Sequence, residues 1–408
     1  MDKQAKTIFF LITSLNAGGA ERQVSYLLKT LPNSYVICLD HVCEYDDVPQ
    51  NQIIYLSQSI NHNFKKLLYF PFYIWKIRAL ILPIYKNAVI ISLNSLPHIL
   101  HFLLLLFVPV KSIFSVRSTL SQRYKGVLNK IYLKVLVFTY KKAQQVTVNS
   151  EGSKHDLITM GVPNDKIMTI PNMYNVQYIR ALALEEEDTK WNEVFKAQTI
   201  VQVGRFDYAK GHKYFLPIFA KLLRIKPNVK LVLVGKGELK NELIANALHL
   251  GLRVFDWGKD TLNQEYDVYM VGHHQNPYWF TKKATIFALT SLFEGLPNVL
   301  IEALITGTVC IATDCKSGPR EILAPESNSH FVASTPEFTP FGVLMPPFQP
   351  DVLDQSVIED LENQWVDTLS DLLDDKNYLA RLKASAMQRG EDYTIEKITT
   401  QWNNIIYP

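Results

Sequence analysis

The stretch Phe293-Glu294-Gly295-Leu296-Pro297-Asn298-Val299-Leu300-Ile301-Glu302 decides how this chain is read. The residues before it, from 289 to 292, read as the end of a strand. Pro297 suits the first turn of a helix, where its missing N–H is not needed. Glu294 then falls in a loop and Glu302 about one turn into the helix. Loop N–H groups and a helix N-terminus make a ready anion site, and a carboxylate beside it accepts hydrogen bonds from hydroxyls. Phosphate plus hydroxyls describes a nucleotide-sugar. Taken alone, two carboxylates at this spacing are equally a solvated helix edge.

Outward from this stretch, short apolar, β-branched runs alternate with longer amphipathic ones, the pattern of βα units around parallel sheets. Residues 7–13, 35–39, 88–93, 111–116 and 145–149 read as strands of a first half. Residues 199–203, 230–234, 268–271, 284–289 and 308–313 read as strands of a second. A chain of 408 residues exceeds one ordinary core. The polar run Glu185-Glu186-Glu187-Asp188-Thr189-Lys190 reads as the linker. The expected division is 1–190, 191–385 and a terminal helix over 386–408, in which Ile395, Ile398, Trp402 and Ile406 recur at helical spacing.

Ligands of such sheets bind beyond the carboxyl ends of the strands, and the polar motifs fall there. Leu15-Asn16-Ala17-Gly18-Gly19-Ala20-Glu21-Arg22 is a Gly-rich turn between strand and helix, open to close approach by phosphate or serving only as a turn. It is not Gly-x-Gly-x-x-Gly and gives no support to a nicotinamide cofactor. Gly204-Arg205-Phe206 leads into Lys210-Gly211-His212 at another strand-to-helix transition. Two cations at a helix N-terminus are costly unless they meet an anion; the bland alternative is a solvated pair. Val234-Gly235-Lys236-Gly237-Glu238 reads as a tight turn. His98 and His101 lie in an apolar run and read as packed rather than ligating; His273 and His274 read as loop surface.

Cys38/Cys43 and Cys310/Cys315 share a Cys-x4-Cys spacing, but no His cluster accompanies them. The reading is free thiols in a reducing compartment, with no metal site. No signal peptide is visible. The most apolar segment, 96–110, carries two histidines and two prolines and falls short of the ~20 residues a membrane span needs, so a buried helix followed by a loop is expected.

The net charge of +3 conceals an asymmetry: between 48 and 150 there is no acidic residue and there are thirteen basic ones, so the remainder is net acidic. Aromatics interleave with this charge, as in Lys65-Lys66-Leu67-Leu68-Tyr69-Phe70-Pro71-Phe72-Tyr73-Ile74-Trp75-Lys76. That composition suits an anionic membrane surface; an ordinary basic face is the alternative. Nucleic acid ranks last, because no nucleic-acid motif accompanies the charge.

The Glu-x7-Glu spacing of Glu294 and Glu302 within Phe-Glu-Gly-x-Pro-Asn, with the flanking Thr313-Asp314-Cys315-Lys316-Ser317-Gly318-Pro319-Arg320-Glu321-Ile322, resembles the retaining group 1 glycosyltransferases of bacterial surface polysaccharide synthesis. The resemblance implies the α/β GT-B fold, two Rossmann-like domains facing a central cleft with a C-terminal helix crossing back to the first. It implies a UDP-sugar donor and no other cofactor. Arg205 and Lys210 would contact the diphosphate. The segment Gly295, Leu296, Pro297 and Asn298 would meet phosphate and sugar through its backbone, Glu294 the sugar hydroxyls and Glu302 the ribose. Gly18 and Gly19 would face the donor from the other domain, and Val271-Gly272-His273-His274 would lie beside the nucleobase. Many relatives carry a histidine after the strand at 111–116, where this chain has Val116-Arg117-Ser118. Arg117 either takes over contacts to sugar or acceptor or belongs to the basic face. No Asp-x-Asp occurs, so metal-independent departure of UDP is expected, with retention at the anomeric carbon. A lipid-linked saccharide acceptor and a peripheral place on the cytoplasmic face of the cell membrane complete the expectation. The rival reading is an inactive nucleotide-binding scaffold on the same frame. A sugar-nucleotide epimerase would lack the full motif.

Overall fold

The structure, a computed structural model, describes residues 6–16, 18–57, 63–123, 127–185, 189–262 and 264–408; for 63–65, 122–123, 127–128 and 189 it describes the backbone alone. The linker residues Glu186, Glu187 and Asp188 and the basic Lys125 lie outside the described residues, as do the side chains of Lys65 and Arg123.

Strand β1 (Thr7–Ile12) shows how the first sheet is built. Its side chains alternate between faces, yet almost all are apolar. Ile8, Phe10 and Ile12 join one buried cluster with Val24, Leu27 and Leu28; Phe9 and Leu11 join another with Tyr73, Ile77, Leu100 and Leu104. Burial on both faces is what a parallel sheet covered by helices requires. Six further strands complete it: β2 (Ser34–Cys38), β3 (Ile53–Tyr55), β4 (Ala88–Leu93), β5 (Lys111–Val116), β6 (Gln145–Val148) and β7 (Ile167–Thr169). All pair in parallel, in the order β3-β2-β1-β4-β5-β6-β7.

The second sheet holds β8 (Thr199–Val203), β9 (Lys230–Val234), β10 (Val254–Asp256), β11 (Val268–Gly272), β12 (Ile286–Leu289), β13 (Val309–Thr313), β14 (Glu337–Thr339) and β15 (Gly342–Met345). Their order is β10-β11-β9-β8-β12-β13-β15-β14, and only β14 runs antiparallel. In β9, Val232 and Val234 enter one core and Leu231 and Leu233 the other. Each sheet reverses its chain order beside its first strand, between β1 and β4 and between β8 and β12. Such switch points open a crevice at the carboxyl ends of the strands. All ten strands expected from the sequence are present. The additional ones are short: β3, β7, β10 and β14 have three residues each and form the sheet edges, and β15 has four and lies between β13 and β14, too brief to show a period.

The chain divides into two compact units, Met1–Met173 with Ile395–Pro408, and Tyr174–Thr394. The first boundary falls before the expected 190, because the helix Val176–Leu184 sends Val176 and Ile179 into the second unit's core. The returning segment starts after the expected 386, because Ala386 joins that same core and Gly390 closes against Ile305. The terminal helix Ile395–Ile406 buries Ile398, Trp402, Ile405 and Ile406 beside β1. Its last carbonyls are capped by cations: Lys111 donates to the Ile405 carbonyl at 2.7 Å and Lys6 to the Ile406 carbonyl at 2.7 Å, which suits the negative end of the helix.

The apolar segment forms the helix Ser95–Leu104, and among the described residues no helix is long and apolar enough to cross a membrane. His98 and His101 are packed. His98 meets the Tyr140 hydroxyl at 2.7 Å and the Ser92 carbonyl at 3.0 Å; His101 meets the Ser92 hydroxyl and stacks on Phe114. Burial pushes their imidazoles down to about 4 and about 3. The unfolded chain therefore takes up protons that the folded one refuses, so stability is full above the ordinary histidine range near 6.5 and falls as pH drops towards 4. Urea midpoints measured from pH 7 to 4.5 should decline, by about 1.4 kcal/mol per histidine per pH unit at the steepest, and His101→Phe should flatten the slope. Trp402→Ala should cost about 3–5 kcal/mol of unfolding free energy by urea titration.

Candidate active site

The loops after β8 and β12 adjoin at the second sheet's switch point and are stitched together by backbone. Leu292 N–H donates to the Ala209 carbonyl at 2.8 Å, and the Thr290 hydroxyl donates to the Lys210 carbonyl at 3.0 Å. Gly211 makes this approach possible. It lies in the left-handed region (φ 65°), and a Cβ there would sit 2.1 Å from the Thr290 carbonyl oxygen. Asp207 accepts from the Lys210 N–H at 3.2 Å and caps the short turn carrying the lysine. On the other flank, the turn holding Gly235 and Gly237 closes on the Arg205 loop. A Cβ on Gly235 would lie 1.9 Å from the Gly204 carbonyl, and one on Gly237 2.3 Å from that of Phe206.

The helix Asn298–Thr306 opens one residue later than expected, with Pro297 as its N-cap. Pro297 has no N–H, so the candidate donors of this segment are Gly295, Leu296 and Asn298. The loop after β13 backs it: the Ser317 hydroxyl donates to the Gly295 carbonyl at 2.7 Å, and Gly318 (φ 97°) fits beneath Pro297. A buried network fixes that second loop. The Arg320 guanidinium grips Asp314 at 2.6 Å and Glu337 at 2.7 Å, and the Ala333 N–H donates to Asp314 at 2.7 Å.

Within this frame Lys210 Nζ meets Glu294 Oε1 at 2.6 Å, and the two side chains are 23% and 11% exposed. The Ser291 hydroxyl donates to the same oxygen at 2.6 Å. Arg205 projects outward, 77% exposed, with Asp207 at 3.9 Å. Glu302 is half-buried on the helix, four residues after Asn298 and on its face. Asn298 is fixed by the Tyr174 hydroxyl at 2.7 Å. The second unit thus joins Lys210 and Glu294 at its switch point, with Arg205 on the loop after β8 and Glu302 on the helix that follows the 295–298 segment. Burial lifts the Cys315 thiol far above its ordinary range, and the nearby Glu294 adds to this; the thiol is a packed group. All four cysteines are free. Among the described residues no group of three His, Cys, Asp or Glu is placed to hold a metal ion.

The other expected residues are less uniform. Gly18 caps the helix Gly19–Thr30 in the first unit, but its N–H meets the Asn16 carbonyl and the Tyr45 hydroxyl. The Glu21 carboxylate stands over Gly18 and accepts from the Asn94 amide at 3.0 Å. An anion already occupies that helix end, which favours hydroxyl-bearing groups over phosphate. Arg117 is drawn into its own unit: it donates to Ser115 Oγ, the Ile170 carbonyl and Asn172, and lies 5.4 Å from the Trp402 ring centroid. It is a clamp between the end of β5 and the terminal helix rather than part of an outer basic face. His273 is exposed; His274 meets the Val271 carbonyl and packs on Phe280. Thr290, Ser291, Asp207 and Ser317 went unseen in the sequence, because short polar residues beside strands are ordinary turn formers.

The model of the group 1 glycosyl transferases matches residues 185–389. The chain belongs to that family. The model of glycosyltransferase family 4 matches residues 17–178. An uncharacterised glycosyltransferase of Methanocaldococcus jannaschii is 31% identical over 306 residues, 72% of this chain and 71% of that protein. A second relative is the N-acetylgalactosamine-N,N'-diacetylbacillosaminyl-diphospho-undecaprenol 4-alpha-N-acetylgalactosaminyltransferase of Campylobacter jejuni, 29% identical over 95% of both chains. The crystal structure of Anabaena HepE in complex with UDP superposes with a TM-score of 0.74 over 98% of each chain, at 16% identity. At that identity the likeness establishes the fold. This group 1 glycosyltransferase therefore has the GT-B fold that its two Rossmann-like sheets describe.

Gly211→Ala should force Lys210 out of register and lower stability by more than about 1 kcal/mol in urea titration. Arg117→Met should cost about 2–3 kcal/mol in urea titration, through the acceptors it leaves unpaired.

Proposed function

We propose that this glycosyltransferase moves a hexose or N-acetylhexosamine from a UDP-sugar to a lipid-linked saccharide, with retention at the anomeric carbon, in the synthesis of a bacterial surface polysaccharide. The observation that carries this reading is the Lys210–Glu294 pair beside the opening of the Asn298–Thr306 helix. Cation, helix N-terminus and carboxylate together suit a diphosphate joined to a polyol. Arg205 and Lys210 bind the diphosphate, Glu294 accepts from the sugar hydroxyls, and Glu302 accepts from the ribose. Gly18 and Gly19, beneath Glu21, meet a hydroxyl-bearing part of the substrates.

The bond from the anomeric carbon to the UDP oxygen breaks as the acceptor oxygen bonds to the same face, and the acceptor proton passes to the departing phosphate. Negative charge grows on that phosphate. A preorganised donor aimed at such charge is worth ~3 kcal/mol, on the order of a hundredfold in rate, and Arg205, Lys210 and the helix N-terminus supply it. With no Asp-x-Asp in the chain, these groups take the part a metal ion plays elsewhere. The Campylobacter relative acts on a diphospho-undecaprenol-linked substrate by its name, and the UDP complex of HepE supports the choice of nucleotide.

The acceptor class agrees with the first unit's surface. The helix Phe70–Ile81 buries Phe70, Tyr73 and Ile77 but leaves Phe72 and Trp75 exposed, and Lys76 lies over the Phe72 ring. Phe107, Ile131 and Phe138 are also exposed, among Arg78, Lys86, Lys130 and Lys134. Among the described basic side chains, Lys66 pairs with buried Asp40, Lys111 caps the terminal helix and Arg117 clamps it. The exposed cations and aromatics named above together suit peripheral attachment to the cytoplasmic face of an anionic membrane.

Thermal unfolding with UDP, GDP and ADP in EDTA tests the donor site. UDP at a hundred times its dissociation constant should add about 2.7 kcal/mol, and the Arg205→Ala/Lys210→Ala variant should lose the shift. Absence of any nucleotide shift would count against the transferase and the nucleotide-binding scaffold alike; a shift without sugar transfer would favour the scaffold. Sedimentation with vesicles should show binding to anionic but not neutral lipid at low salt, weakened in Trp75→Ala/Phe138→Ala; no binding to either would remove the membrane from the proposal.

A further inference from the structure

Two adjacent hydroxyls follow β12. Thr290 and Ser291 are 1% and 0% exposed; Thr290 bonds to the backbone of Lys210 and Ser291 to the carboxylate of Glu294. Thr290 accepts from the Gln202 amide at 3.1 Å and donates to the Lys210 carbonyl at 3.0 Å. Ser291 donates to Glu294 Oε1 at 2.6 Å, and the Thr313 hydroxyl secures the Ser291 carbonyl at 2.7 Å. The Ser291 hydroxyl is therefore held by backbone that the sheet fixes, and it points at a carboxylate three residues ahead.

Resting on the donor reading above, we infer that Ser291 is a positioning residue for the Glu294 carboxylate. Lysine alone holds that carboxylate poorly. Its ammonium sits on a flexible stem, and an arriving diphosphate attracts the same charge. As Lys210 turns towards phosphate, the grip it shares with Ser291 loosens, and the serine keeps Oε1 where it was. A hydrogen bond to a charged group is worth enough to matter here, and misplacement of a reacting group by about 1 Å costs on the order of a hundredfold in rate. Ser291 is fully buried, so it acts on the sugar through Glu294 and not by contact. The bland alternative is a hydroxyl that merely closes the loop; it predicts lost stability and lost nucleotide affinity together, with no preference for the sugar.

The test is a double-mutant cycle on the full chain, with wild type, Ser291→Ala, Glu294→Gln and the double variant. Calorimetry would measure UDP and four probes: UDP-glucose, UDP-galactose and their two N-acetylhexosamine counterparts. Ser291→Ala should leave UDP affinity within about twofold and the unfolding temperature nearly unchanged, while affinity for the preferred UDP-sugar falls about tenfold. In the Glu294→Gln background the same substitution should cost clearly less, because an amide oxygen accepts more weakly from the serine than a carboxylate does. Equal losses for UDP and UDP-sugar, equal losses in both backgrounds, or no change for any UDP-sugar would overturn the positioning role while leaving the nucleotide site intact. A wild-type protein that binds no nucleotide would instead overturn the donor reading and this inference with it.

Discussion

Two-sided burial of the parallel strands is the constraint on which the rest depends. Alternate side chains of β1 and β9 enter separate cores on the two faces of their sheets, so most strand positions have no room for charge. Polar groups that do work are displaced to the loops at the carboxyl ends. Helices begin there, and their unsatisfied N–H groups accumulate. Within each sheet the reversal of chain order selects one gap among these loops. Arg205, Lys210 and Glu294 fall at that gap, where backbone donors meet adjacent strands from different parts of the chain.

Close backbone contact turns this gap into a fixed geometry. The loop after β12 could carry Glu294 in many orientations. It is held because Gly211 admits the Thr290 carbonyl and Gly318 admits Pro297. Behind the second of these contacts stands a buried arginine with two carboxylates. Breaking one partner of such a cluster leaves an uncompensated charge indoors, so the loop is stiff at its base, while Arg205 at its rim remains largely exposed. A fixed carboxylate and an exposed guanidinium are complementary assets for the proposed function, in which one site fixes a sugar and gathers a diphosphate.

Strand positions and the Glu294–Glu302 motif were legible because both are repetitive or dense in information: long apolar alternation in one case, ten consecutive informative residues in the other. Edge strands such as β3 and β10 were not, since three residues carry no period. The boundary near 174 was hidden because the acidic run after 184 looks like a linker, whereas packing of Val176 and Ile179 decides membership. Arg117 reads from the sequence as either a sugar or acceptor contact or part of the basic face; its partners, Asn172 and Trp402, are remote in sequence. Glu21 escaped notice for the opposite reason. It sits in the Gly-rich turn itself, and only its fold back over Gly18 reveals that the helix end is already occupied by negative charge.

The first unit is discontinuous, formed from Met1–Met173 and Ile395–Pro408. This has a consequence for how the protein is made. Chains emerge from the ribosome N-terminus first, and domains fold as they appear. Here the sheet built around β1 is synthesised early, but the indole of Trp402 and the side chain of Ile406 that cover one of its faces arrive last. The second unit, Tyr174–Thr394, has all of its residues before then. The later-encoded unit can therefore mature first, while the earlier one waits with an uncovered apolar strip beside β1. During that interval the nascent chain is exposed to chaperones and to misassembly, and docking of the helix Ile395–Ile406 closes it.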